Sequence, residues 1–253
     1  MRFVIPIFRF AILVAAFCLL SSAFGQTVLE APGIAAFHRP AATGGGGGGG
    51  GTYTLLRHAT GNAPGNSQAS VTIDVTGGKL LVVSVSNYQP AGGGLDRDPA
   101  DGGVNTYIGL NKAGSPTGHI ATNQLFYVIN PSGSSLTITC THSYVILNAA
   151  VFSYSGSSPS LDTQAAGHGT AASSVQPGSV TPSGTELFVT GVSSSQSFAG
   201  TPINSSFTVT DAVRQGANGL WGGLAYKNSS SAENPTWSFS ASADCGSTMA
   251  TFK

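Results

Sequence analysis

A short acidic segment is the first place in this sequence where residue types and spacing could support chemistry. Residues 96–105 read Asp-Arg-Asp-Pro-Ala-Asp-Gly-Gly-Val-Asn. Asp96, Asp98, Asp101 and Asn105 would place hard oxygen ligands on a turning loop, which is what Ca²⁺ requires. The segment therefore predicts a calcium site. The alternative is a solvated loop whose aspartates make local turn hydrogen bonds, because an arginine and a proline interrupt the ligands and no glutamate completes an EF-hand.

Aromatic side chains next to glycines suggest a binding surface. Trp221 stands just before two glycines and Tyr226 follows closely, whereas Tyr88 and Tyr107 are expected at strand ends or in loops. Such rings present flat apolar faces with polar edges, which suits stacking against sugar rings. These four residues are the candidate ligand-binding set. The alternative is core filling, which is the expectation for Trp237 because large rings usually fill sandwich interiors.

Catalytic patterns are sparse. The sequence contains no G-x-S-x-G serine elbow, and its histidines show no H-E-x-x-H or related metal-ligand spacing. A glycosidase needs two carboxylates about 5–10 Å apart across a groove. Glu186 and Asp162 form the one plausible pair outside the acidic segment, and both are expected to be surface groups.

The elements that would position these residues are β-strands. Short runs rich in Val, Ile, Thr, Phe and Tyr alternate with Gly, Pro, Asn and Ser clusters. Several runs alternate with period two, as in residues 135–140, where the apolar side chains share one face. The candidate strands are Tyr53–His58, Ser70–Val75, Leu80–Ser86, Asn105–Leu110, Gln124–Ile129, Ser135–Thr141, Ile146–Tyr154, Ser173–Val180, Glu186–Val192, Ser206–Val213, Leu220–Tyr226, Thr236–Ala241 and Met249–Phe252. About thirteen short strands predict an all-β fold: a single antiparallel, jelly-roll-like β-sandwich of two sheets, each with one wet face.

The N-terminal region divides into three parts. Residues 1–25 combine arginines, an apolar run and small residues in the order of a secretory signal peptide, with cleavage expected after Gly25. A lipoprotein signal at Cys18 and a retained membrane anchor are the alternatives. Residues 26–51 form a leader that ends in eight glycines and is expected to act as a flexible tether. The β-sandwich domain is expected over residues 52–253.

Two cysteines would remain after cleavage. Cys140 and Cys245 in an exported chain suggest one disulfide, which would tie a middle strand to the last strand. The alternative is two buried thiols.

Charge composition restricts the partners. The 253 residues hold ten basic and ten acidic groups, so only 8% are charged. A nucleic-acid binder is not expected, because phosphate neutralisation needs clustered Lys and Arg. No apolar run after residue 25 approaches membrane length, so no membrane span is expected in the mature chain.

The order of several phrases resembles β-sandwich modules of exported bacterial proteins, many of unassigned function. The phrases are Gly78-Lys-Leu-Leu-Val-Val-Ser-Val-Ser86, Asp101-Gly-Gly-Val-Asn-Thr-Tyr107, Tyr154-Ser-Gly156 with Leu161-Asp162, Thr185-Glu-Leu-Phe-Val-Thr-Gly191 and Ala250-Thr-Phe-Lys253. The resemblance covers roughly residues 52–253 and rests on structural motifs. It implies an extracellular module in adhesion, surface or polysaccharide-associated contexts, and it supplies no catalytic residues.

These observations favour a secreted, non-catalytic module that binds or adheres at the cell surface, with extracellular carbohydrate or another surface polymer as its partner. One alternative is a structural subunit that self-associates by adding its leader as a strand to a neighbour's open sheet edge. Another is a polysaccharide-active hydrolase or lyase.

Overall fold

The computed structural model describes residues 51–63, 68–89, 98–114, 120–141, 144–215 and 219–253. These residues form thirteen strands in antiparallel sheets, which confirms the all-β sandwich class. The strand order does not by itself establish the jelly-roll topology. The predicted signal peptide, residues 26–50 of the predicted leader, and Asp96 lie outside the described residues.

The first sheet has five strands in the order β1-β7-β3-β5-β4. Their bounds are β1 Tyr53–Asn62, β3 Leu80–Gln89, β4 Ile108–Ala113, β5 Ile120–Ile129 and β7 Val145–Tyr154. Strands β1 and β4 are therefore its two edges.

The second sheet has six strands in the order β10-β13-β9-β12-β11, and β8 also pairs with β13. Their bounds are β8 Leu161–Val175, β9 Glu186–Ser194, β10 Phe198–Ile203, β11 Thr208–Gln215, β12 Leu220–Ser229 and β13 Trp237–Phe252. Strand β11 forms one edge of this sheet.

A small third sheet covers part of the first. It consists of β2 Ala69–Asp74 and β6 Ser135–Cys140. Both strands alternate between buried and exposed residues, as their period-two sequences predict. Their buried side chains, among them Val71 and Ile138, pack against Leu81, Val83 and Leu147 of the first sheet and so form a third layer.

Three apolar clusters hold these layers together. One lies between the small sheet and the first sheet, and a second lies between the first and second sheets, where Leu80 and Phe152 pack with Leu187 and Phe252. The third lies on the outer face of the second sheet around Trp237. Strand β9 and residues 80–87 of β3 are consequently buried on both faces, so the expected wet outer face is wrong for these strands.

Predicted and observed strands differ most in the second sheet. Strand β8 begins at Leu161, although a strand was expected only over Ser173–Val180. Strand β10 was not predicted. The two candidates at the C-terminal end form one sixteen-residue strand, β13.

The predicted disulfide is not formed: Cys140 and Cys245 are not bonded to each other. The physical reason is their location, because Cys140 packs under the small sheet and Cys245 packs on the outer face of the second sheet. Burial raises the pKa of the Cys245 thiol to about 11, although the thiol also contacts the carbonyl of Gly169.

Candidate functional site

Trp221 lies on the outer face of the second sheet, near its β11 edge. Side chains of β12 alternate between the two faces: Leu224 packs between the sheets, whereas Ala225 packs in the outer cluster. By this period of two, Trp221 shares the outer face with Ala225. Its ring meets that of Phe198 edge-to-face, with 5.8 Å between centroids and 76° between planes. Trp221 is half-buried.

Arg214 adds a positive charge beside this ring. It lies directly opposite Trp221 in the β11–β12 ladder, and its Cζ atom is 5.9 Å from the Trp221 ring centroid. That distance is within the range of a cation–π interaction. Arg214 is exposed, and no ion pair joins it to an acidic side chain in the described ranges. Phe198, Arg214 and Trp221 together are called the Trp221 patch below.

The other predicted ligand-binding aromatics do not join this patch. Tyr226 points to the opposite face of β12, where its ring meets Phe152 edge-to-face at 5.3 Å. Tyr107 packs against the cluster beneath the small sheet. Tyr88 is half-buried at the end of β3, and burial followed by the negative charge of Asp244 raises its pKa. The four residues therefore do not form a single platform.

The acidic segment folds into a turn around Asp101. This carboxylate is buried and accepts hydrogen bonds from the Asn105 backbone (3.0 Å), the Asn105 side chain (2.6 Å) and the Tyr107 hydroxyl (3.3 Å). Asp98 is exposed. No group of three His, Cys, Asp or Glu residues that could hold a metal occurs in the part of the chain that the structure describes. Since the Asp101 oxygens already have protein donors, its local role is that of a turn-stabilising group, and the calcium site remains a prediction.

The hydrogen bonds of Asp101 predict a specific loss of stability in acid. Burial would raise the pKa of this carboxyl group, but the bonds from Asn105, Tyr107 and Val104 outweigh burial and lower it. An unfolded Asp titrates near pH 3.9, so the stabilisation is present above about pH 4 and is lost as the pH falls through the folded pKa. Asp101→Asn should cost about 2 kcal/mol at pH 7 and make the decline from pH 5 to pH 2 shallower. Urea unfolding across this range checks the result.

Asp98→Asn is the control for this experiment, because it removes an exposed carboxylate from the same segment. It should leave the unfolding midpoint at pH 7 unchanged. Equal acid sensitivity of Asp101→Asn and the unmodified chain would contradict the assigned role of Asp101.

Asp162 and Glu186 were expected to be surface groups, which is wrong for Glu186 because its side chain is buried. Lys253 forms an ion pair with the Asp162 carboxylate. Glu186 is buried, and its Oε1 accepts bonds from the backbone and hydroxyl of Ser183 at 2.9 and 2.8 Å. Burial would raise the pKa of Asp162, but the hydrogen bond and the positive charge of Lys253 lower it.

This carboxyl pair does not favour the polysaccharide-active alternative. A glycosidase places its two carboxyl groups about 5–10 Å apart, so that a glycosidic bond and, in inverting enzymes, a water molecule fit between them. Here the Asp162 carboxylate pairs with Lys253, and Glu186 Oε1 accepts from Ser183, so both carboxyl groups already have structural partners. The contacts instead join Leu161–Val175, Glu186–Ser194 and the end of Trp237–Phe252 at one end of the second sheet.

A histidine–aspartate pair that sequence reasoning missed bridges the two large sheets. His58 on β1 and Asp211 on β11 are edge-strand residues, and His58 Nδ1 lies 3.2 Å from Asp211 Oδ1. The His58 side chain is 45% exposed, whereas that of Asp211 is 8% exposed. The two residues are 153 positions apart in sequence, so no local motif could have revealed them. Their contact ties the open edges of the sandwich together.

Comparison with protein-family models, with curated proteins and with solved structures finds no match for this chain. The described ranges contain no helix with the length and hydropathy of a membrane span.

Proposed function

We propose that this chain is a secreted β-sandwich module that binds carbohydrate at the cell surface without acting on it chemically. The observation that carries the proposal is the Trp221 patch: a half-buried indole held edge-to-face by Phe198 on the outer face of the second sheet. An indole presents a flat apolar surface to the C–H groups of a sugar ring. Its N–H remains a hydrogen-bond donor toward hydroxyl groups.

The position of the patch suits a long polymer better than a small molecule. It lies on β10, β11 and β12 of the second sheet, not between the sheets, where the interior is filled by packed side chains. A polysaccharide chain can lie along such a surface, because an open sheet face sets no limit on the length of the bound polymer. Adhesion to a wall or matrix polymer requires only such a binding surface.

Trp221→Ala should abolish binding to any polysaccharide that the unmodified protein retains. A pull-down with insoluble cellulose, chitin and xylan, extended by a glycan array, measures retention. The chain holds two tryptophans, and Trp237 is fully buried, so ligand-induced changes in tryptophan fluorescence should come from Trp221. We expect those changes to disappear together with binding.

Ile108→Ala is the matched control, because it truncates a side chain that is 48% exposed on the first sheet. This variant should bind as the unmodified protein does. Undiminished binding by Trp221→Ala, or no retention on any glycan tested, would rule the proposal out.

A further inference from the structure

We infer that the Trp221 patch selects a polysaccharide carrying carboxylate groups, such as a polyuronate. The inference deepens the proposed function and rests on it. Its starting point is Arg214, an exposed guanidinium placed over the Trp221 ring. An uncharged sugar polymer offers only hydroxyl groups to this cation, whereas a uronate offers a carboxylate, which forms stronger, charge-assisted hydrogen bonds with guanidinium.

The charge of Arg214 is not neutralised by its neighbours. The nearest acid on β11 is Asp211, whose carboxylate contacts His58 of the first sheet and so belongs to the opposite face from Arg214. Lys227, six residues after Trp221 on β12, already forms an ion pair with Glu233. Arg214 is therefore the one cation of the patch that is open to a ligand, judged on the described part of the surface.

The aromatic ring also orients this cation. A cation–π interaction at an exposed site contributes about 0.5–1 kcal/mol, and it restricts the long side chain before a ligand arrives. The N–H groups of guanidinium lie in its plane and form a fork that matches a carboxylate bidentately. Phe198, edge-to-face with Trp221, in turn restrains the indole. An anionic sugar could thus stack on Trp221 and pair with Arg214 in one pose.

The test compares polygalacturonate with its fully methyl-esterified form, which keeps the same sugar backbone without the charge. Affinity electrophoresis or titration calorimetry gives dissociation constants at 50 and 500 mM NaCl. We expect the acidic polymer to bind at least tenfold more tightly at low salt, and Arg214→Gln to remove about tenfold of that affinity. Arg214→Lys should recover only part of it, because lysine keeps the charge without the fork. High salt should weaken the acidic polymer selectively.

Arg57→Gln is the matched control. It removes the same positive charge from β1 of the first sheet, where Arg57 forms an ion pair with Asp74. It should leave both dissociation constants unchanged. Equal affinity for the two polymers, no binding of polygalacturonate, or an equal effect of Arg57→Gln would overturn the inference. Retention of a neutral polysaccharide that depends on Trp221 but not on Arg214 would overturn this inference and leave the proposed function intact.

Discussion

Replacing Trp237 with alanine is expected to lower the free energy of unfolding by about 4 kcal/mol, within the range for buried aromatic truncations. Trp237 is fully buried on the outer face of the second sheet, where it packs in the cluster that includes Phe188 and Phe239. Its Nε1–H donates to the Thr190 hydroxyl at 3.2 Å. The ring also lies over Gly223, where an added Cβ would come within 3.1 Å of it. Few neighbouring side chains can move into the cavity that Trp237→Ala would leave.

Urea unfolding followed by far-ultraviolet circular dichroism measures this loss without relying on tryptophan emission. Trp221→Ala is the natural comparison, because it removes the same side chain from a half-buried position on the same sheet. It should cost roughly half as much, since less apolar surface returns to water. Similar losses for the two variants would contradict the assignment of Trp237 to the core and Trp221 to the surface.

Local sequence patterns were sufficient where a strand alternates. The apolar residues of Ser135–Cys140 are buried on one face as expected, and Trp237 and Phe239 face into a cluster. The fold class follows from such segments, because a period of two fits a pleated strand and not a helix.

Strand β8 shows why other elements could not be predicted. Its middle is Ala-Ala-Gly-His-Gly-Thr-Ala-Ala, in which Thr170 is the one β-branched residue and Val, Ile, Phe, Tyr and Trp are absent. It is held by its long ladder with β13. An added Cβ at Gly167 would lie 2.1 Å from the carbonyl oxygen of Gln176, so glycine permits a close backbone approach there. This strand therefore forms because of tertiary contacts, which the local sequence of residues 161–175 does not reveal.

The sequence predicted single residues of the candidate sites better than it predicted which residues contact each other. Trp221 was identified from its glycine neighbours, but its partner Arg214 depends on the β11–β12 register. The ion pair between Asp162 and Lys253 likewise depends on which strands meet at one end of the sheet. A single residue can be identified from its sequence neighbours, whereas a contact between two strands can be predicted only when the strand order and register are known.

A buried polar network between the two large sheets was also missed, and it leads to the second large expected effect. Ser84, Ser86, Asn123 and Thr248 form this network, and all four are buried. Asn123 Nδ2 donates to the hydroxyls of Ser84 and Ser86 at 2.9 and 3.2 Å, and its Oδ1 accepts from Thr248 of the opposite sheet. An added Cβ at Gly191 would lie 2.6 Å from both Asn123 Oδ1 and Ser84 Oγ. Glycine thus allows β9 to approach the network closely.

Asn123→Leu should destabilise the protein by about 3 kcal/mol, although it conserves volume and adds apolar surface. The reason is that the Thr248 hydroxyl loses its acceptor and the Ser84 hydroxyl loses its donor, which are the side-chain hydrogen bonds of these two hydroxyls in the described structure. Leaving a buried polar group unsatisfied costs about 1–3 kcal/mol, whereas removing both partners together costs far less. Urea unfolding midpoints of the purified variants measure the effect.

A double-mutant cycle separates this explanation from simple misfit. Thr248→Val removes the hydroxyl that Asn123 accepts from, so the double variant Asn123→Leu with Thr248→Val should lose at least 1 kcal/mol less than the sum of the single variants. Asn111→Ala, which changes an exposed asparagine on β4, should cost little. Strict additivity would mean that the hydrogen bond between Thr248 and Asn123 does not contribute to the loss. Coupling would mean that hydrogen bonds across the interior, and not apolar burial alone, fix how the two large sheets face each other. These bonds would then also hold in place the second sheet, which carries Trp221 and Arg214.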